Sequence, residues 1–344
     1  MNHCTINSSL NPTNRKTVTK MVCVDSLFRT NIETDSTNFA FQLAEPINNV
    51  VSMKLTSVEL PNNWYTFSAK NLTNCFTVNC YNVPADISGT IIHGTPYNKS
   101  HYVEIPEGNY LSDSFHIAVS KYFANIGNGL QYIGINVNDY NSKVEFFAGL
   151  PGALIYPFDP YRCVDISGEW QPANTDFYFE LDFSIPSKPS QPLYRTIGWA
   201  MGYRKSFYKV EYSLTNVFIR MIDKAQFYTT FVTSESSFGS TFQHYIFLEV
   251  DDFQRNVSSN TIVSYIGNGD SYLNNDILAK IPITSGQYTN IIDNAADYIF
   301  KTRNYYGPIK LEKLHIKLLN KYGEVLDLNR NDFSFSLELE VVYQ

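Results

Sequence analysis

The six histidines (His3, His93, His101, His116, His244, His315) never stand in HxxxH or HxH spacing, so the paired imidazoles of common metal sites are missing. No GxSxG occurs, which leaves the strand-to-helix elbow of the hydrolases without a nucleophile. The five cysteines are Cys4, Cys23, Cys75, Cys80 and Cys163, an odd number that leaves at least one unpaired within the chain. Cys75 and Cys80 fall on opposite faces of a straight strand, beyond the reach of a disulfide, and no pair has the CxxC spacing of a zinc site. Small, partly buried thiols in a reducing compartment are expected. Glu249, Asp251 and Asp252 close the apolar run 245–250. They could offer oxygens to calcium, but no EF-hand spacing adds further ligands, and the same residues fit a strand end entering a polar turn. Gly267-Asn268-Gly269-Asp270 lacks the Lys-Ser or Lys-Thr of a phosphate loop and reads as a turn. His315, between Leu314 and Ile316, is expected to face solvent. No nucleophile, base or metal constellation survives, so the chain is read as a scaffold or binding protein, not an enzyme, with no cofactor.

The elements around these residues are mostly strands. Phe39, Phe41 and Leu43 alternate with Ala40, Gln42 and Ala44, and Val51, Met53 and Leu55 alternate with Ser52, Lys54 and Thr56. The phase slips near Ser57, so that Val58 and Leu60 carry the apolar face onward, which predicts a bulge. Phe76, Val78 and Cys80 continue the pattern, as do Phe177, Phe179, Leu181 and Phe183. Clearest is Phe333, Phe335, Leu337, Leu339 and Val341 against Ser334, Ser336, Glu338 and Glu340. Such period-two patterns mean strands with one buried face. Phe115, Ala118, Val119 and Tyr122 instead recur at helical spacing; Ser112 or Ser114 can cap that helix and Gly127 can stop it. A hairpin follows, with Ile133, Ile135 and Val137 running up to residues 139–142 and Val144 and Phe146 running back. The expected organisation is a polar arm over residues 1–20, a β body over 21–100 and 151–344, and an inserted helix-plus-hairpin unit over 101–150.

Composition limits the partners. The chain has 344 residues, 44% hydrophobic and 15% aromatic with only 17% charged, at a net charge of −7. That balance argues for a folded chain. With 26 basic against 33 acidic residues, a surface built to neutralise phosphates is not expected, and no specific nucleic acid is assigned. The lysines of residues 310–321 alternate with Leu and Ile like one face of a strand. No apolar run reaches the ~20 residues that span a bilayer, and the first residues lack the order of a signal peptide. Trp64, Trp170 and Trp199 stand in separate segments.

Several phrases carry a resemblance. Val24-Asp25-Ser26-Leu27-Phe28-Arg29, then residues 39–43 and Pro46-Ile47-Asn48-Asn49-Val50, resemble the opening of minor capsid proteins of nucleocytoplasmic large DNA viruses, the giant viruses. Glu107-Gly108-Asn109-Tyr110 before a helix looks like the insert of such proteins. Ile197-Gly198-Trp199-Ala200-Met201-Gly202-Tyr203-Arg204 resembles their L-G-W-x-L-G-F-R phrase, with Tyr203 in place of Phe. Tyr306-Gly307-Pro308-Ile309, Lys321-Tyr322-Gly323-Glu324-Val325 and Phe333-Ser334-Phe335 look like their closing strand pair. Read physically, Asp25 and Ser26 can form an Asx-type turn, and Arg29 can pair with a carboxylate or a carbonyl, with Asp25 a candidate. Gly198 and Gly202 permit tight turns, while Trp199 and Tyr203 supply large area for a core or a subunit contact.

The resemblance implies a mainly β fold, an antiparallel jelly-roll β-sandwich with a small inserted α+β unit, serving as a structural capsid protein. It implies a vertex penton or minor capsid protein that assembles with the major capsid protein and other minor capsid proteins, as a homo-oligomer that is a pentamer if a penton. Its place would be the virion, assembled in the host cytoplasm. Low charge and abundant Tyr, Phe and Asn suit contacts that bury aromatics and still satisfy hydrogen bonds. The alternative is a carbohydrate- or receptor-binding β-sandwich, a fibre- or lectin-like attachment module, which would use exposed aromatics in one groove.

Overall fold

Two-residue alternation shapes the strands, and every strand pair among the described residues is antiparallel. The computed structural model describes residues 16–83, 86–88, 91–93, 95–148, 177–210, 217–219, 226–228, 231–239, 244–257, 263–266, 270–273, 276–293 and 302–343. Cys4, Cys163, Trp170, residues 1–15 of the expected arm and the glycines at 267 and 269 lie outside them. In chain order the strands begin with β1 (Thr17–Asp25) and β2 (Asn38–Pro61), then β3 (Cys75–Val83), β4 (Asp86–Ser88), β5 (Ile91–His93) and β6 (Tyr97–Glu104). Helix α1 (Ser112–Ile126) precedes β7 (Ile133–Val137), β8 (Lys143–Ala148) and β9 (Tyr178–Asp182). The one-turn helix α2 (Ile197–Ala200) leads to β10 (Phe207–Val210), β11 (Val217–Ile219), β12 (Gln226–Tyr228) and β13 (Phe231–Ser237). The last strands are β14 (Tyr245–Asp251), β15 (Val263–Ile266), β16 (Asp270–Leu273), β17 (Ile277–Pro282), β18 (Asn290–Asp293), β19 (Thr302–Leu319) and β20 (Ser334–Val342).

The chain divides into two compact units, one of residues Met1–Trp64 and Gln243–Gln344 and one of residues Tyr65–Phe242 inserted into it. The expected helix and hairpin over 101–150 therefore belong to a larger insert, which also takes in β3, β6, β9, β10 and β13. The reason is pairing: β3 bonds both to β6 and to β9, ladders between segments whose register no local pattern specifies. Residues 17–20, expected in the polar arm, are instead the start of β1 and pair with β20.

In the outer unit a seven-stranded sheet runs β1-β20-β2-β19-β14-β17, with β18 also on β2. Strands β19 and β20 flank β2 rather than each other, so the phrases resembling a closing strand pair sit on two sides of a third strand. Register shifts on β2 fall between Val50 and Ser52 and between Leu55 and Ser57. The second is the bulge the phase slip predicts. The first was not visible, and it puts Val50 rather than Val51 in the core, so the buried series runs Val50, Met53, Leu55, Val58, Leu60. With Phe335, Leu337 and Leu339 of β20 and Leu314, Ile316 and Leu318 of β19, these form one apolar cluster.

In the inserted unit a four-stranded sheet (β10-β9-β3-β6) and a three-stranded sheet (β13-β8-β7) contribute to one core. Phe76 and Val78 of β3, Phe179 and Leu181 of β9 and Phe146 of β8 meet Phe115, Val119 and Phe123 of α1 there. The helix starts and stops where the apolar period changes. Its N-cap is Leu111, with no side-chain cap bond, so neither Ser112 nor Ser114 serves; the Ser114 hydroxyl donates to Leu111 O. Gly127, at φ 64°, ends it with its N–H on Phe123 O, as its lack of a side chain allows.

Candidate functional site

In the outer unit the first phrase builds a clamp. The Asp25 carboxylate accepts the Leu27 N–H at 2.9 Å, the expected Asx turn. Ser26 is fully buried: its N–H donates to Phe333 O at 2.9 Å, and its hydroxyl donates to Asp332 Oδ1 at 2.7 Å while accepting the Phe333 N–H. Arg29 pairs with Asp332 at 2.8 Å, not with Asp25, whose carboxylate is taken up by the turn. Its other donors meet Ser26 O, Ile32 O and Thr34 O at 2.7–2.9 Å. One guanidinium thus ties the segment after β1 to the segment before β20. The same loop holds Leu27, Phe28 and Ile32 outward, with Phe28 74% exposed. Arg29→Ala is expected to cost roughly 1–3 kcal/mol, because four charge-assisted bonds are lost at a largely buried head group. Urea denaturation followed by a probe in the outer unit would measure it, and Arg29→Lys should recover only part, since an ammonium cannot reproduce the fork.

Two further phrases, 107–110 and 197–204, lie in the inserted unit and also tie loops. Gly108, at φ 155°, exchanges backbone bonds with Phe67 in both directions. The Asn109 carbonyl oxygen accepts the Thr66 N–H, and Glu107 accepts from Ala69 N–H and Ser68 Oγ. Tyr110 sets its hydroxyl on Pro106 O and its ring edge-on to Phe67. In the 197–204 phrase, Gly198 lies against Phe183: an added Cβ would stand 2.4 Å from that ring. Tyr203 is fully buried and donates to Val144 O and Val232 O, at 3.1 and 3.3 Å. Trp199, expected to bury large area, is 37% exposed within the unit, and Arg204 stacks 3.9 Å from its ring centre. Arg204 also donates to Trp199 O and Tyr203 O. Tyr208, whose hydroxyl oxygen accepts the Arg204 and Lys205 N–H groups, donates its own hydrogen bond to the Glu235 carboxylate. Burial and the adjacent Glu235 raise the Tyr208 hydroxyl above its ordinary pKa, so it remains a donor.

The acidic cluster divides between the faces of its strand. Glu249 accepts Lys317 Nζ at 2.8 Å, and Asp251 accepts the Phe253 N–H. Asp252 is buried completely and holds Arg303 at 2.8 Å, with the Tyr305 hydroxyl on the same oxygen. Arg303 further donates to Val250 O and Asp276 O. Burial disfavours its charge, but Asp252, Tyr305 and Asp276 outweigh that and hold its pKa above the ordinary value. Reasoning from sequence missed Arg303. A signal existed: it shares the phase of Tyr305, Ile309 and Leu311, a basic residue at a core position, which needs a buried acid. Gly307 and Pro308 occupy the long register shift of β19 between Asn304 and Ile309, beside exposed Tyr306.

Among the described residues no group of three His, Cys, Asp or Glu could hold a metal ion. Cys75 and Cys80 are buried free thiols, and burial pushes Cys80 up to about 12, which makes it unreactive. His315 is half-buried on the face opposite Leu314 and Ile316. His101 Nε2 lies 2.9 Å from Asn128 O. No helix among the described residues is long and apolar enough to cross a membrane. The opening phrase and the phrases at 107–110 and 197–204 each fasten a loop within their own unit.

No protein-family model matches the sequence, and no curated protein matches it. Among solved structures the chain is similar to the mavirus penton protein, at 10% identity and a TM-score of 0.44, over 95% of this chain and 100% of the other. It is also similar to a chain in the cryo-EM structure of the Sputnik virophage, at 14% identity and a TM-score of 0.40, over 94% of this chain and 97% of that one.

Proposed function

We propose that this chain is a structural component of an icosahedral virus capsid, a penton-type or minor capsid protein that assembles with copies of itself and with the major capsid protein. The observation that carries the reading is the clamp on Arg29. A residue set resembling the opening of capsid proteins is spent on fixing a loop, and the fixed loop presents Leu27, Phe28 and Ile32 to the outside. Apolar side chains kept exposed on an ordered loop suit a contact with a neighbouring subunit. The phrases at 107–110 and 197–204 fit as well, since both serve rigidity of the inserted β unit. A large DNA virus, a vertex position and assembly in the host cytoplasm are the finer parts of this proposal, and they rest on the sequence resemblance. An attachment module would need an open aromatic platform. Of the described tryptophans, Trp64 is buried and Trp199 carries Arg204 on its ring.

Native mass spectrometry of the purified protein, alone and with the major capsid protein, tests the proposal. A pentamer is expected, weakened by Phe28→Asp. A strict monomer that also fails to bind the major capsid protein would overturn it.

A further inference from the structure

The whole-chain charge conceals a local segregation. Residues 183–210 hold Lys188, Arg195, Arg204, Lys205 and Lys209 but no Asp or Glu, so all 33 acidic residues lie elsewhere in the chain. The fold sets part of this charge beside aromatic rings on the surface of the inserted unit. The Tyr194 ring stands nearly perpendicular to Trp199, with centroids 6.4 Å apart, and the Arg204 guanidinium carbon lies 3.9 Å from the Trp199 ring centre. Gly198, packed on Phe183, and fully buried Tyr203 anchor the same segment in the core, so the exposed rings are carried on packed backbone. Arg204 spends only Nη1, on Trp199 O and Tyr203 O, which are neutral acceptors. Among the described residues its Nε and Nη2 make no hydrogen bond, and neither Arg204 nor exposed Lys205 forms an ion pair. The nearby Glu235 carboxylate is taken up by the Arg204 N–H and the Tyr208 hydroxyl.

We propose that this patch binds single-stranded nucleic acid, with phosphates on Arg204 and Lys205 and unpaired bases stacked against the Tyr194–Trp199–Arg204 pile. A guanidinium held in place by neutral carbonyls keeps its full charge, and its unspent donors suit the oxygens of a phosphate. Aromatic rings beside such charges take any base, because every base has a π face. A duplex keeps its bases inside the stack and would use the charges alone. A sulfated glycan likewise offers charge without a flat ring. The net charge of −7 does not oppose binding, because beyond a Debye length of about 10 Å the other surface charges are largely screened. The inference goes beyond the proposed capsid role and does not use the Phe28 loop, so assembly and strand binding can fail independently.

Fluorescence anisotropy of a labelled oligothymidylate, titrated with the purified full chain, tests it. Binding is expected to weaken roughly 20-fold between about 50 and 200 mM salt, as for some three neutralised phosphates on a single strand. A matched abasic strand, which keeps the phosphates and lacks the bases, is expected to bind about tenfold more weakly. Lys205→Glu should weaken binding several-fold and lower the salt slope by about one, and Trp199→Ala should weaken it about tenfold. Lys313→Glu, on β19 of the outer unit, should leave binding unchanged. Absence of binding at low salt would overturn the proposal, as would binding that neither Lys205→Glu nor Trp199→Ala alters. Equal affinity for the abasic strand, for a duplex of the same length or for a heparin oligosaccharide would overturn it too, since each would show a site that reads charge alone. The ligand comparisons use the unaltered chain, so they decide even where a variant folds poorly.

Discussion

Arg303→Ala is expected to lower the stability of the outer unit by about 3–5 kcal/mol, because it leaves a buried carboxylate without its counter-charge. Asp252 has no exposed side-chain surface and Arg303 only 4%. The Val250 and Asp276 carbonyls lose their guanidinium donors as well, although Asp276 O keeps the Val250 N–H. Tyr305 cannot compensate: burial and the Asp252 carboxylate already hold its hydroxyl protonated, so it can donate but supplies no positive charge. The double variant Arg303→Met with Asp252→Leu should recover most of the loss, since a well-packed apolar pair is often as stable as a buried ion pair. Urea denaturation of the single and double variants would decide. A double variant no better than Arg303→Ala would mean the network works by geometry rather than charge.

Gly202→Ala is expected to cost about 3 kcal/mol or more, through strain and overpacking together. The residue sits at φ 91°, where an L side chain is disfavoured. A Cβ there would lie 2.1 Å from Ser236 O, which belongs to backbone and cannot swing away. Ser236 N–H also donates to Gly202 O at 2.9 Å, so moving one segment breaks a bond to the other. Gly307→Ala is the control. Its nearest neighbour would be the Asn256 amide nitrogen at 3.7 Å, and an effect within about 0.5 kcal/mol is expected. Thermal unfolding of both variants would compare them directly, and equal effects would refute the assignment of Gly202 as the constrained position.

Much of the strand pattern was legible because burial on one face of a sheet forces a two-residue period. Residues 177–183 and 333–341 alternate without interruption, and each apolar member is buried. Helix α1 was legible for the same reason, its period being the only one of its kind in that stretch. The first bulge of β2 was not, because Val50 and Val51 are both apolar and only the partner strand distinguishes them. The Asx turn at Asp25 follows from local residue types. The partner of Arg29 does not, since Asp332 is brought to it by the pairing of β1 with β20.

The sequence by itself therefore determined the local facts: that the plainly alternating segments are strands, where the helix stops, that no familiar catalytic spacing is present, and which phrases resemble capsid proteins. Tertiary structure alone decided that the insert runs from Tyr65 to Phe242, that Trp199 stays half-open beneath Arg204, and that Asp252 is spent on Arg303. The division has a physical cause. Backbone period and turn chemistry act over a few residues and leave a mark in the order of side chains. Register between strands hundreds of residues apart is fixed only by the contacts that form once the sheet exists.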